Sequence, residues 1–324
     1  MTVLVLLWQL GVLQKIPKEY AFEMLFFLLL SIYTIVNLLY SQSNDKVFIR
    51  NDTRTMSPID LVRDTSEDGT GMYPNCAILC ANIYQDNNDR IEMDEGWSEI
   101  KELRYPQAGR NSGLAMEVWK SEVGRKKIVI VFRGTVRGLN SWIANLHWVV
   151  KFLPVKDQYS KIRKDERILK RAIDQIARDY EGYQVLSTGH SLGGGLAQHA
   201  CYIHPEIKRC YVFNSTPVTG WFDLDPKQRA VSVAGAKVYR LYERGEVLQY
   251  LRFFTQLSYL FKVSPNEDPC FTEHRVNLVK AGVIKSHGIK QLALGLKEYE
   301  STKMTPSEER PLVDSEHTKR TQGD

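Results

Sequence analysis

The segment that most limits what this chain can fold into is Gly189-His190-Ser191-Leu192-Gly193, extended by Gly194 and Gly195. It stands between a β-patterned run, residues 183–188, and an Ala/Leu-rich helical run, residues 196–203. A serine on a strand-to-helix turn is held in a strained backbone conformation, and glycines flank it because a β-carbon there would collide with the strand and helix behind. Its hydroxyl is thereby presented at the carboxyl edge of a sheet. The helix that follows adds its dipole and free backbone N–H groups, which places the amide of Leu192 to donate to a developing oxyanion. Ser191 is the expected nucleophile.

The surrounding sequence alternates strand and helix signals, the pattern of a mostly parallel sheet flanked by helices. Residues 128–132 form an unbroken β-branched and aromatic run that stops at Arg133-Gly134-Thr135. A helix opens near Lys161, with Ile162, Ile168, Leu169, Ala172, Ile173, Ile176 and Tyr180 largely on one face, and Gly182 ends it. Further strands are expected at residues 210–213 and 236–242.

A serine alone is a poor nucleophile, and on this scaffold an acid and then a histidine base should follow it in the chain. Of seven histidines, His147 precedes Ser191, His190 belongs to the turn, His199 and His204 lie on the next helix, and His317 is in the polar tail. His287 and His274 remain. His287 stands in a loop just before the periodic run 289–296, whereas His274 stands in Pro269-Cys270-Phe271-Thr272-Glu273-His274-Arg275, which reads as a polar, solvated turn. His287 is the preferred base. The strand 236–242 runs into Glu243-Arg244-Gly245-Glu246, so the acid is Glu246 with Glu243 in reserve.

Residues 21–40, AFEMLFFLLLSIYTIVNLLY, carry a single charge, Glu23, and as a helix would extend about 30 Å, one bilayer core. A transmembrane helix is expected there, with residues 1–13 as a shorter apolar stretch before it. Lys15 and Lys18 on one side are nearly balanced by Lys46, Arg50 and Arg54 on the other, so membrane side is not set. Ser41-Gln42-Ser43 offers a small-x-small cleavage pattern, but the long apolar run favours an uncleaved anchor. A formal charge of +5 without long basic runs gives no footprint for nucleic acid. The five cysteines include no CxxC pair, and residues 86–95, though acidic, lack the Asp/Asn spacing and Gly of a calcium loop. No cofactor and no metal are called for, and no protein partner is read.

Beyond the turn, four segments resemble the class 3 lipase, or fungal-lipase-like, family of α/β-hydrolases. IVIVFRGT with Ser141-Trp142-Ile143-Ala144-Asn145-Leu146 is similar to the family's FRG(T/S) strand and its following (D/S)W..N(L/I) element. Gly189 to Gly195 resembles GHSLGG(A/G), and Val212-Phe213-Asn214-Ser215-Thr216-Pro217-Val218-Thr219-Gly220 resembles TFGSPRVGN. Residues 240–251 lie over the acid-bearing RVVN..D.VP.LP pattern, with Glu246 at the acid and Gln249 and Arg252 where the family has prolines. The resemblance spans residues 128–296. It implies an α/β-hydrolase fold, Glu246 as the acid, and Thr135 as an oxyanion-hole residue whose N–H stands beside that of Leu192.

The expected organisation is a membrane anchor at residues 1–40, a polar tether at 41–75, an α/β-hydrolase domain at 76–300 and a disordered tail at 301–324. The expected activity is that of a membrane-anchored serine lipase or phospholipase. Residues 248–263, LQYLRFFTQLSYLFKV, directly follow the acid and read either as an acyl-binding or membrane-contacting flap or as a core helix. The partner is then a lipid substrate at a membrane surface. The rival expectation is a catalytically silent α/β-hydrolase domain acting as a lipid-binding or interaction module.

Overall fold

The structure, a computed structural model, describes residues 47–50, 55–56, 72–105, 115–134, 155–216, 219, 224–246, 248–249, 271–279 and 285–301. Its strands are β1 (Val47–Arg50), β2 (Thr55–Met56), β3 (Trp97–Glu99), β4 (Met116–Ser121), β5 (Lys127–Phe132), β6 (Gln184–His190), β7 (Ile207–Phe213), β8 (Lys237–Glu243) and β9 (Phe271–Val276). Its α-helices are α1 (Met72–Asn82), α2 (Val155–Asp179), α3 (Leu192–Ile203), α4 (Pro226–Gly235) and α5 (Ile289–Ser301).

The strands form a 9-stranded sheet in the order β2-β1-β9-β8-β7-β6-β5-β4-β3. From β5 to β9 neighbouring strands run parallel, while β3, β4, β1 and β2 add antiparallel strands at the two edges. The run 128–132 is apolar at every position because both faces of β5 are covered. Ile128, Ile130 and Phe132 pack with Leu169, Ile173 and Ile176 of α2 and Leu196, Ala197 and Ala200 of α3. Val129 and Val131 point the other way, toward Leu79 of α1 and Leu292, Ala293 and Leu296 of α5. Each such aliphatic side chain contributes about 1.5–3 kcal/mol by leaving water. Gly182, at φ +82°, ends the α2 region in the left-handed conformation expected of a glycine stop.

Two expectations need correction. Residues 41–75 are more than a tether: β1 pairs with β9 and β2 with β1, and Met72, Tyr73 and Pro74 are already buried in α1. The polar average of that stretch conceals a short VFIR strand. In α1 nearly every residue is buried, so it has no polar face whose periodicity could reveal a helix. Second, the segment around His274 is the strand β9, not a solvated turn. His274 and Glu273 are both buried, and the Tyr73 hydroxyl and His274 Nδ1 share a hydrogen bond of 2.8 Å. The buried polar side chains of β9 have partners: His274 meets Tyr73, and Glu273 pairs with Arg275 at 2.7 Å.

The anchor expected at residues 1–40, Thr135, residues 250–263 and the tail beyond Ser301 lie outside the described residues. Among the described residues no helix is long and apolar enough to cross a membrane.

Candidate active site

Ser191 sits between the end of β6 and the start of α3 with φ 56° and ψ −123°, a backbone conformation that costs a non-glycine residue about 1–3 kcal/mol. Three backbone bonds hold it there. Its N–H donates to Phe213 O at 3.1 Å, and its carbonyl accepts from Gly194 N and Thr216 N, each at 3.1 Å. The glycines are required by close approach: a β-carbon on Gly189 would strike the Gly193 carbonyl, and one on Gly193 would strike Phe132 O. Strand β5, strand β6 and helix α3 therefore meet at a distance only glycine permits.

The later elements deliver the partners. A 3₁₀ turn, Lys285–His287, precedes α5 and brings His287 Nε2 to 3.2 Å from Ser191 Oγ. His287 Nδ1 lies 2.7 Å from Glu246 Oε2, whose carboxylate also accepts from Leu248 N at 2.8 Å. With Nδ1–H donating to the carboxylate, Nε2 is left as the acceptor that faces the serine hydroxyl. Both His287 and Glu246 are 0% exposed, whereas Ser191 is partly open to solvent. Leu192 is the first residue of α3, so its N–H belongs to the helix turn that has no intrahelical acceptors.

The structure thus brings together Ser191, His287, Glu246 and the Leu192 amide, and leaves His274 and Glu243 elsewhere. His274 is engaged by Tyr73 on β9. Glu243 accepts from Val279 N at 3.0 Å, and its other carboxylate oxygen is buried without a hydrogen bond. Burial, helped by the nearby charge of Glu246, raises its pKa to about 7, which backbone bonds and Arg244 only partly offset.

Three supporting residues were not singled out from sequence. Tyr84 accepts the Gly134 N–H on its hydroxyl at 2.7 Å and so holds the backbone just beyond the end of β5. His190 donates from Nε2 to the His287 carbonyl at 2.8 Å; burial first, then the neighbouring His287, lowers its pKa to about 3, so it stays neutral. Asn214, directly after β7, has φ +41°, and its side chain reaches both the β8 end and the histidine turn. An asparagine directly after a strand is the one signal in the sequence that could have marked it, because Asn tolerates positive φ. Cys76, Cys80, Cys201 and Cys210 are buried thiols, and burial raises those of Cys80 and Cys210 to about 12, so neither is a thiolate nucleophile. Among the described residues no group of His, Cys, Asp and Glu is arranged to hold a metal ion.

Parallel strands wound in chain order, a strained serine between strand and helix, and an acid and a histidine on successive later loops define an α/β-hydrolase. Residues 75–251, more than half the chain, match the family model described as a Tle-like phospholipase domain. The chain belongs to this phospholipase-like family. Similar solved structures include a Rhizomucor miehei lipase in a propeptide complex, with TM-score 0.40 and 22% identity over 56% of this chain and 63% of that one. A fungal lipase aligns with TM-score 0.39 and 14% identity over 57% of this chain and 74% of its own. An esterase of Pyrococcus furiosus aligns with TM-score 0.31 and 10% identity over 63% and 91%. The chain therefore spans less than two thirds of the Rhizomucor protein.

Proposed function

We propose that this chain is a serine lipase or phospholipase that cleaves carboxylic esters of lipids at a membrane surface, held there by residues 1–40. The observation that carries the reading is the unbroken chain of contacts from Glu246 through His287 to Ser191. In the reaction, His287 Nε2 takes the Ser191 hydroxyl proton as Oγ attacks the ester carbonyl, and Glu246 holds the resulting imidazolium. The amides of Leu192 and Thr135 receive the oxyanion. Collapse of the tetrahedral species expels the alcohol, which takes the proton from His287, and leaves an acyl-enzyme on Ser191. Water, deprotonated by the same Nε2, then releases the fatty acid. Membership of a phospholipase-like family supports phospholipid as the substrate class.

The test is fatty-acid release from phospholipid vesicles and from diacylglycerol vesicles by detergent-solubilised full-length protein beside Ser191→Ala. Release from phospholipid that disappears in Ser191→Ala is expected. Equal release by the two proteins on both lipids would overturn the reading and leave a silent lipid-binding module in its place.

A further inference from the structure

Two loops must stay in register for the proposed chemistry: the one after β8, which carries Glu246, and the 3₁₀ turn, which carries His287. They are 41 residues apart in the chain. Besides the Glu246–His287 contact, a buried side chain joins the last residue of β8 to that turn. Asn214 Oδ1 accepts from Glu243 N at 2.7 Å, while Asn214 Nδ2 donates to Ser286 O at 3.1 Å and to His287 O at 3.4 Å. Only one orientation of the amide satisfies these partners, since an N–H must meet Oδ1 and carbonyls must meet Nδ2. Asn214 is 0% exposed, and its own N–H donates to Leu241 O at 2.9 Å, which ties it to β8 a second time. His190 Nε2 meets the same His287 carbonyl from the β6 side, so the histidine peptide is held by groups that follow or end two different strands.

We propose that Asn214 is a positioning residue that fixes His287 against Glu246 by clamping the histidine turn to the end of β8. The proposal rests on the serine-hydrolase reading above for its kinetic consequence, but its structural content does not depend on turnover. Asn214 touches neither Ser191 nor the reacting atoms and acts through the His287 backbone. Its φ of +41° is tolerable for Asn and easier for Gly, so Asn214→Gly removes the amide without adding backbone strain. Asn214→Asp is the second variant: it keeps an acceptor for Glu243 N but sets a carboxylate oxygen against the two carbonyls.

Both variants are expected to lower kcat on phospholipid vesicles about 10- to 100-fold with KM nearly unchanged, the cost of a base displaced by a fraction of an ångström to an ångström. A clamp acts only through the His287–Glu246 contact, so in a Glu246→Ala background Asn214→Gly should cost less than about twofold. A merely structural role would give the same fold-loss in both backgrounds. The second readout is the low-field proton resonance of His287 Nδ1–H, assigned by its absence in His287→Ala, which should broaden through faster exchange in Asn214→Gly. Equal fold-losses in the two backgrounds, or an unchanged kcat and an unchanged resonance in folded Asn214→Gly, would overturn the proposal. If wild type shows no Ser191-dependent hydrolysis, the hydrolase reading fails and the resonance decides alone: broadening supports the clamp, and no change overturns it.

Discussion

Two regions of this molecule bury pairs of carboxylates, and they neutralise them differently. At the β3–β4 edge, Glu99 and Glu117 face Arg90 and Arg104. Glu117 Oε1 accepts from Arg90 at 2.6 Å and from Arg104 at 2.7 Å, its Oε2 accepts from Trp119 Nε1 at 3.0 Å, and Arg104 forks onto both oxygens of Glu99. Two acids meet two guanidiniums, with Arg90 Nε left buried without a hydrogen bond. At the end of β8, Glu243 and Glu246 are equally buried, yet the partner of Glu246 is an imidazole and Glu243 keeps an oxygen with no hydrogen bond. Permanently charged guanidiniums already neutralise the first pair of acids, whereas a carboxylate facing an imidazole is placed to hold the charge that forms if that imidazole takes a proton.

The largest expected effect comes from breaking the second region at the acid that faces His287. Glu246→Gln should lower kcat by about 10³- to 10⁴-fold through loss of imidazolium support and of the correct tautomer, while Glu243→Gln stays within about threefold. Initial rates on phospholipid vesicles separate the two acids. In the arginine network the loss should appear in stability instead: Glu117→Ala leaves Arg104 its fork on Glu99 but Arg90 only a 3.7 Å pairing with Glu99, and should cost about 3–5 kcal/mol in urea unfolding, with kcat of the folded protein within about twofold.

Smaller in size, and sharper as a contrast, is the pH dependence of Glu243. Its pKa rises on folding from 4.5 to about 7, so between those values the folded chain holds more protons than the unfolded one. Stability should therefore fall as pH rises through that window, by on the order of 3 kcal/mol in all. Urea midpoints at pH 5 and pH 8 should differ in this sense in wild type and much less in Glu243→Gln. The smallest effect expected is that of Tyr84→Phe, which removes the acceptor of the Gly134 N–H and should cost about 1–2 kcal/mol in thermal unfolding.

What the sequence disclosed follows the same division. The β5 and β6 strands, the serine turn and the glycine stop at Gly182 are local events, written in runs of β-branched residues and in glycines that close approach demands. That Ser191, His287 and Glu246 would meet was legible because the order serine, acid, histidine leaves few candidates in the chain. Strand β9 and helix α1 were not, because FTEHRV is polar where tertiary partners such as Tyr73 make burial tolerable, and MYPNCAILCAN is buried all round. The clamp by Asn214 and the orphan oxygen of Glu243 depend on contacts between segments distant in the chain, which no local pattern records.

The central claim is that Ser191 is a nucleophile activated by His287. Intact-mass measurement of labelling by a serine-reactive fluorophosphonate tests it most directly, in wild type, Ser191→Ala, His287→Ala and His274→Gln. The account predicts one adduct in wild type and in His274→Gln, none in Ser191→Ala, and labelling slowed by about 10³-fold or more in His287→Ala. Labelling that persists in Ser191→Ala, or that proceeds at the wild-type rate in His287→Ala, would contradict it.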